Sequence, residues 1–473
     1  MEKTKSLGDL ETQKTGTLMR KYAFPCIVSL LVGALYNIVD QLFIANADYL
    51  GSNGNAANSV VFPLTVAALS IATMIGDGCC AFMSINLGKK DGRTAAKSAG
   101  NAITLLSLSG IVLGAVYLIF ADGILTLFGA NVNAETAAFS KEYFFWISLG
   151  IPFYMFGQGL NPVIRSDGSP KYAMMSLTVG AVTNCILDPI FIFPLKMGMA
   201  GAAIATIIGQ IASAVFAFVY LFKIKTVKLT KNCFVPSGKV CKNIFSLGLT
   251  SFLSQISIVC TMAAVLNMCR KYGAVDPVFG LSEYAQIPTA VIGIVMKFFQ
   301  IVIAIAIGLS AGCIPIVGYN IGAERHDRVR EIMRKLLIAE LLVGLVATVI
   351  CELFPSKLIG IFGAANESEH YTKFAVRCIR LFMMMTPLAC FNKGTFIFLQ
   401  SLGKAKESTL LSLLREIVFG VGLVLILPLF WGLEGILWFM AIADALTFVA
   451  SVSVIAVTDK KLTKNERNVS PSE

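Results

Sequence analysis

Four aspartates and two lysines stand where hydrocarbon would leave an ionised group without solvent. Asp40, Asp77, Asp188 and Asp444, with Lys297 and Lys393, each lie inside an apolar run long enough to cross a bilayer. A charge at the middle of a membrane helix costs at least about 2.5 to 3.5 kcal/mol, so each is a candidate for ion or substrate handling. Asp40 falls towards the far end of the first run and Asp188 towards the far end of the fifth. If the fold brings them together, the two carboxyls can hold a proton between them near neutrality. They release it when an arriving cation, or outside water, stabilises the anion. Asn184 lies one helical turn before Asp188, on the same face. The competing reading is structural: each aspartate caps a helix broken near Pro25 or Pro189.

Other polar residues inside the runs leave alternatives open. Gln158 and Asn161, three apart in the fourth run, either line the same cavity or act as interhelical glue. Asp77 sits in Gly76-Asp77-Gly78, where the glycines permit a close backbone approach or a local unwinding. Lys297 and Lys393 each need water, a carbonyl or an acid, and Asp444 is the candidate partner of Lys297 in a polar pair. Glu340, Glu352 and Glu416 lie nearer run ends and are expected to be solvated. Met383, Met384 and Met385, with Met155, Phe153 and Tyr154, read first as packing and second as the adaptable lining of a promiscuous site.

Several chemistries are excluded. His326 and His370 are the only histidines, and the 12 cysteines show no metal-ligand spacing. Cys26, Cys185, Cys260 and Cys390 read as small buried hydrophobes. No glycine-rich phosphate loop ending in Lys-Ser/Thr is present, so ATP is not expected to drive this chain, and no Ser/His/Asp arrangement is present. The Gly-Asp-Gly run is shared with intramembrane aspartyl proteases, but Tyr36 and Asp40 are four apart where those enzymes have a tyrosine beside the aspartate. An enzyme is not expected, nor a cofactor other than a coupling ion.

The elements that must position these residues are helices. Of 473 residues, 56% are apolar and 14% charged, against about 25% charged in soluble domains. That balance excludes an ordinary soluble enzyme, a disordered chain and a disulfide-stapled domain, and leaves a polytopic membrane protein. About 20 apolar residues cross a core of about 30 Å, where only helices or closed barrels satisfy the backbone. Runs at 18–46, 57–86, 98–121, 137–163, 168–194, 198–222, 243–270, 283–320, 335–355, 374–400, 407–428 and 432–458 predict twelve transmembrane helices and an all-α integral membrane protein. Lys and Arg outnumber Asp and Glu 39 to 28. They gather in the N-terminal tail, the even-numbered loops and the C-terminal tail, which supports both termini inside, in the cell membrane. Their charge is expected to meet anionic membrane lipid and not nucleic acid. The first seventeen residues are polar and mixed in charge, so no cleavable signal peptide is expected.

The runs fall into two sets of six. Phe128-Gly129-Ala130 matches Phe362-Gly363-Ala364, Gly78 and Gly88 match Gly312 and Gly322, and Pro194-Leu195 matches Pro428-Leu429, all at an offset of 234. Phe62-Pro63 pairs with Ile287-Pro288 at 225. The repeat predicts two pseudo-symmetric six-helix bundles, an N-lobe at 18–222 and a C-lobe at 243–458. They are joined by a lysine-rich cytoplasmic linker at 223–242 and flanked by tails at 1–17 and 459–473. A cavity between such lobes is a transporter feature.

At these residues the chain resembles the multidrug and toxic compound extrusion (MATE) family, within a wider group that includes lipid-linked oligosaccharide flippases. The features are Tyr36-Asn37-Ile38-Val39-Asp40 and Phe43-Ile44, Leu87-Gly88-Lys89-Lys90-Asp91, Arg165-Ser166-Asp167-Gly168-Ser169-Pro170, Asn184 through Asp188-Pro189, and Tyr319-Asn320-Ile321-Gly322-Ala323. The resemblance implies export of amphipathic organic cations or drugs in exchange for H+ or Na+. It also implies a coupling-cation site at Asp40, Asn184, Asp188 and Thr206, whose hard oxygens suit Na+, and a helix bend at Pro25. Asn37, Gln158, Asn161 and Asp77 would serve the substrate cavity or the bend. The seventh and tenth runs carry no acid, so the C-lobe carboxylate site of other branches is absent.

The expected protein is a secondary antiporter that works as a monomer by rocking its bundles. In it H+ or Na+ neutralises the aspartates and shifts the balance between two states. The alternative is a flippase for a lipid-linked oligosaccharide or related polar lipid, which would use Lys297 and Lys393 to grip phosphate. A receptor or passive channel would need no ion-linked acids.

Overall fold

In the computed structural model, residues 10–47, 49–130, 134–281, 284–360 and 369–469 are described. The polar-free runs fold as expected into twelve long helical rods: α1 Thr15–Ala45, α2 Gly51–Gly88, α3 Gly92–Ile119, α4 Ala134–Ser166, α5 Pro170–Ile192, α6 Gly198–Leu221, α7 Gly238–Gly273, α8 Ile287–Gly322, α9 His326–Leu353, α10 in two pieces (Glu369–Met383 and Thr386–Ser401), α11 Ala405–Trp431 and α12 Leu433–Val469. Eleven are long and apolar enough to cross a membrane by length and composition; α4, 33 residues long, carries Glu135 and Arg165 at its ends. No strand occurs among the described residues.

Differences from the expected spans have local causes. α10 is interrupted at Met384 and Met385, immediately before Thr386-Pro387, because proline disfavours helical geometry in the residue before it and offers no backbone N–H. α12 runs beyond 458 to Val469, and there Asp459 pairs with Arg330 of α9 at 2.6 Å. α11 is α-helical at both ends but π-helical from Leu414 to Val421. α3 begins at a capped terminus, where Asp91 accepts the Thr94 N–H at 3.0 Å.

Backbone contacts divide the chain into two compact units. The first holds the chain to Gln255 together with Ala311–Glu324 and Gln400–Gly403; the second holds Ile256–Ser310, Arg325–Leu399 and the chain from Lys404 onwards. Within the first unit the sequence repeat becomes a spatial one. A Cβ on Gly88 would meet the Tyr319 carbonyl, and a Cβ on Gly322 would meet the Ile85 carbonyl. Those two contacts exchange under the offset of 234, so α2 and α8 cross through a reciprocal glycine pair that no larger residue could replace without parting the helices. The Phe362-Gly363-Ala364 part of the repeat lies outside the described residues. In the same unit the linker is fastened down: Asp167 accepts from Tyr220 Oη and from Lys225 and Thr226 backbone N–H groups, and Asn101 donates to the Cys233 and Val235 carbonyls. The second unit packs a core around Phe299, Phe374, Phe382 and Phe439.

Candidate cation-coupling site

The first unit brings α1, α2, α4, α5 and α6 around one group of polar side chains. Asp40 on α1 is 6% exposed and Asp188 on α5 is fully buried. Their carboxyls are neighbours, with Asn58 of α2 beside Asp40 and Asn184 beside Asp188. Asn184 Nδ2 donates to Thr206 Oγ1 of α6 at 3.2 Å, which ties α5 to α6 one turn below the acids. Tyr36 of α1 and Tyr143 of α4 flank the pair. Thus Asp40, Asn184, Asp188 and Thr206, scattered over 167 positions of sequence, share one place.

Several oxygens of that place have no partner. Asp40 Oδ1, both Asp188 oxygens and Asn184 Oδ1 accept no hydrogen bond of ordinary geometry among the described residues. Buried polar atoms are nearly always satisfied, and two adjacent carboxylates repel each other in a low dielectric. A proton shared between them, or a small cation among their oxygens, meets both needs. Asn184 and Thr206 present neutral oxygens of the kind a hard cation accepts.

The other sequence candidates go elsewhere. Pro25 is buried inside an unbroken α1, and Ser29 Oγ bonds back to its carbonyl at 2.8 Å. Asn37 faces outward and donates to the Gly33 carbonyl at 2.9 Å. Asn161 bridges α4 to α5 by donating to the Ala173 carbonyl at 2.6 Å. Gln158 lines a small cavity with Asn184 and Thr206. Asp77 is apart from the acid pair. It accepts from Arg165 Nη2 at 3.2 Å and from Ser251 Oγ at 3.0 Å, and the α2 backbone around it is helical, so the flanking glycines serve close approach and not unwinding. Cys26, read as a small hydrophobe, also meets Arg165.

The second unit holds a different polar cluster. Asp444, expected beside Lys297, is bound instead by Arg415 through Nε at 3.0 Å and Nη2 at 3.3 Å. Arg415 Nη1 also reaches Glu416 at 2.9 Å, and Glu416 takes Ser257 Oγ at 2.7 Å and the Lys393 ammonium. The π-helical stretch widens the turn and puts the successive residues Arg415 and Glu416 both on the buried side. Glu416 and Glu340 were expected to be solvated; they are 3% and 0% exposed, and Glu340 accepts from Ser310. Glu352 follows expectation and pairs with Arg380 at a part-exposed position.

A bundle of this kind, with ionisable groups gathered inside the membrane helices, defines a polytopic membrane transporter. Residues 25–190 and 272–426 match the MatE family model, and the chain belongs to that family, the MATE transporters. It is similar to the multidrug export protein MepA of Staphylococcus aureus (strain MSSA476), 24% identical over 455 residues that cover 94% of each chain. MepA of Staphylococcus saprophyticus is 26% identical over 452 residues with the same coverage. The fold is similar to that of a structure described as the outward-facing conformation of a multidrug resistance MATE family transporter of the MOP superfamily, with a TM-score of 0.86 at 21% identity over 96% of this chain and 98% of that one.

Proposed function

We propose that this transporter exports amphipathic organic cations, drugs among them, in exchange for H+ or Na+, with Asp40, Asn184, Asp188 and Thr206 as the coupling site. The observation that carries the reading is the pair of neighbouring, buried carboxyls of which three oxygens, Asp40 Oδ1 and both of Asp188, have no hydrogen-bond partner of ordinary geometry among the described residues. Its similarity to multidrug export proteins supports the substrate class. In this reading an N-lobe at 18–222 and a C-lobe at 243–458 rock about the linker, both termini are cytoplasmic, and the monomer is the working unit in the cell membrane. The incoming ion fills the space between Asp40 and Asp188, α1 repacks near Pro25, and the cavity loses its affinity for a cationic substrate. A ligand shifts two states only through unequal affinity for them, and a carboxyl pair that gains a positive charge supplies the inequality.

The flippase alternative would call on Lys297 and Lys393 to grip phosphate, and of these Lys393 lies in the cluster of the second unit. That ammonium is already neutralised by Glu416, which favours the antiporter. The test is efflux of a fluorescent organic cation from proteoliposomes under separately imposed proton and sodium gradients, wild type against Asp188→Asn. Gradient-driven efflux lost in the variant is expected, and the gradient that drives the wild type identifies the ion. Normal coupled efflux by Asp188→Asn would end the proposal.

A further inference from the structure

Below the acid pair, α1, α4, α5 and α6 line a partly open cavity of about 40 Å³, with Gln158, Asn184, Thr206, Gln210 and Ser213 among its lining residues. Three of its oxygens have no donor among the described residues: Asn184 Oδ1, Gln210 Oε1 and Ser213 Oγ. Ser213 is 7% exposed and Asn184 2%. Thr206, Gln210 and Ser213 lie on successive turns of α6 and cover about 10 Å of rise, from the level of Asn184 towards the Leu221 end, where the lysine-rich linker begins. Across from Gln210 and Ser213, α4 presents Gly150 and Gly157, with Phe153, Tyr154 and Gln158 lining the cavity between and beside them. A Cβ on Gly150 would stand 2.6 Å from Gln210 Oε1, and a Cβ on Gly157 3.2 Å from Ser213 Oγ.

We infer that this cavity is a water-lined route by which the coupling cation leaves the acid pair towards the linker end of the first unit, within one bundle. The inference rests on the antiport reading above and deepens it. A dry cavity is apolar; this one presents a file of unmet acceptors, and a file of acceptors suits water that carries H+ or accompanies a small monovalent cation. The volume exceeds the minimum a water molecule needs. No cationic side chain stands among its lining residues to repel the ion. Glycine at 150 and 157 lets α6 pack close to α4, so that Gln210 Oε1 and Ser213 Oγ lie against bare backbone.

Two independent variants, Ser213→Val and Gly157→Val, fill the space at the same level without altering the acids. In proteoliposomes both are expected to keep substrate-for-substrate exchange without an ion gradient at the wild-type rate. Both are expected to lower gradient-driven efflux by about tenfold or more, the step having become slow. Ser213→Thr retains the hydroxyl and is expected to keep both activities. Wild-type gradient-driven efflux in both filled variants overturns the inference. So does a parallel loss of exchange and coupled efflux in both, which assigns the space to substrate or to packing. Asp188→Asn run alongside separates the two readings. If it still couples, the antiport reading itself falls; if it is uncoupled while the filled variants run normally, only the exit route falls.

Discussion

Each compact unit has a polar cluster built on a pair of buried carboxyls, and the two clusters have opposite electrostatics. In the first unit Asp40 and Asp188 face each other with neutral amides and hydroxyls and no cation. In the second, Glu416 and Asp444 are matched by Lys393 and Arg415, and Ser257 supplies a further donor. The second site is closed: each charge has its opposite, so an arriving ion gains little there. The first is open: Asp40 Oδ1 and both Asp188 oxygens have no partner among the described residues, and a proton or a cation would satisfy them. A buried acid therefore says nothing of function until its partners are counted.

The sharpest way to break this contrast is to unbalance the closed site. Glu416→Ala leaves Lys393 without its carboxylate and Arg415 with one in place of two. Breaking one side of a buried pair costs about 3 to 5 kcal/mol, and the expected result is a large drop in the thermal midpoint of the detergent-solubilised protein. Lys393→Met combined with Glu416→Leu removes the charges together and is expected to recover most of that loss, because the desolvation penalty goes with them. A neutral single variant would mean that the cluster is hydrated and not closed.

The open site should respond the other way. Asp188→Asn, and separately Asp40→Asn, are expected to reduce gradient-driven efflux about a hundredfold while the thermal midpoint holds or rises, since an amide removes a contact between two acids. Function is lost and stability kept. A matched fall in both would erase the distinction between the two sites.

How far this contrast was legible beforehand follows from what a one-dimensional pattern carries. Apolar runs located the helices, and the repeat marked Gly88 and Gly322 as equivalent positions without showing that they cross each other. Asp40 and Asp188 stood out because charge in hydrocarbon is expensive wherever it faces. Partner choice did not stand out. Asn58 lay at the expected edge of the second run, where an asparagine is ordinary, yet α2 starts earlier, at Gly51, and carries it to Asp40. Asp77 and Arg165, 88 positions apart, share no periodicity that could announce their pairing. Glu416 was misjudged because distance from a run end does not give the helix face, and the π-helical turn that buries it beside Arg415 has no simple residue signature.

A third carboxylate calibrates the other two. Asp91, in the loop between α2 and α3, is exposed and satisfied by its own helix, with the Thr94 N–H on Oδ1 at 3.0 Å. The Thr94 hydrogen bonds hold its carboxyl below the usual aspartate range. A group whose folded value is depressed adds stability above its unfolded value, near 4, and loses it as pH falls through the folded one. Asp91→Ala is expected to cost about 1 kcal/mol at neutral pH, the ordinary worth of a helix cap, and Asp91→Asn much less, since asparagine caps equally well. The difference between wild type and Asp91→Ala should shrink as the pH is lowered below about 4, with efflux at neutral pH unchanged in all three proteins. An effect on coupled efflux as large as that of Asp188→Asn would show that being buried and unmet is not what sets the coupling acids apart.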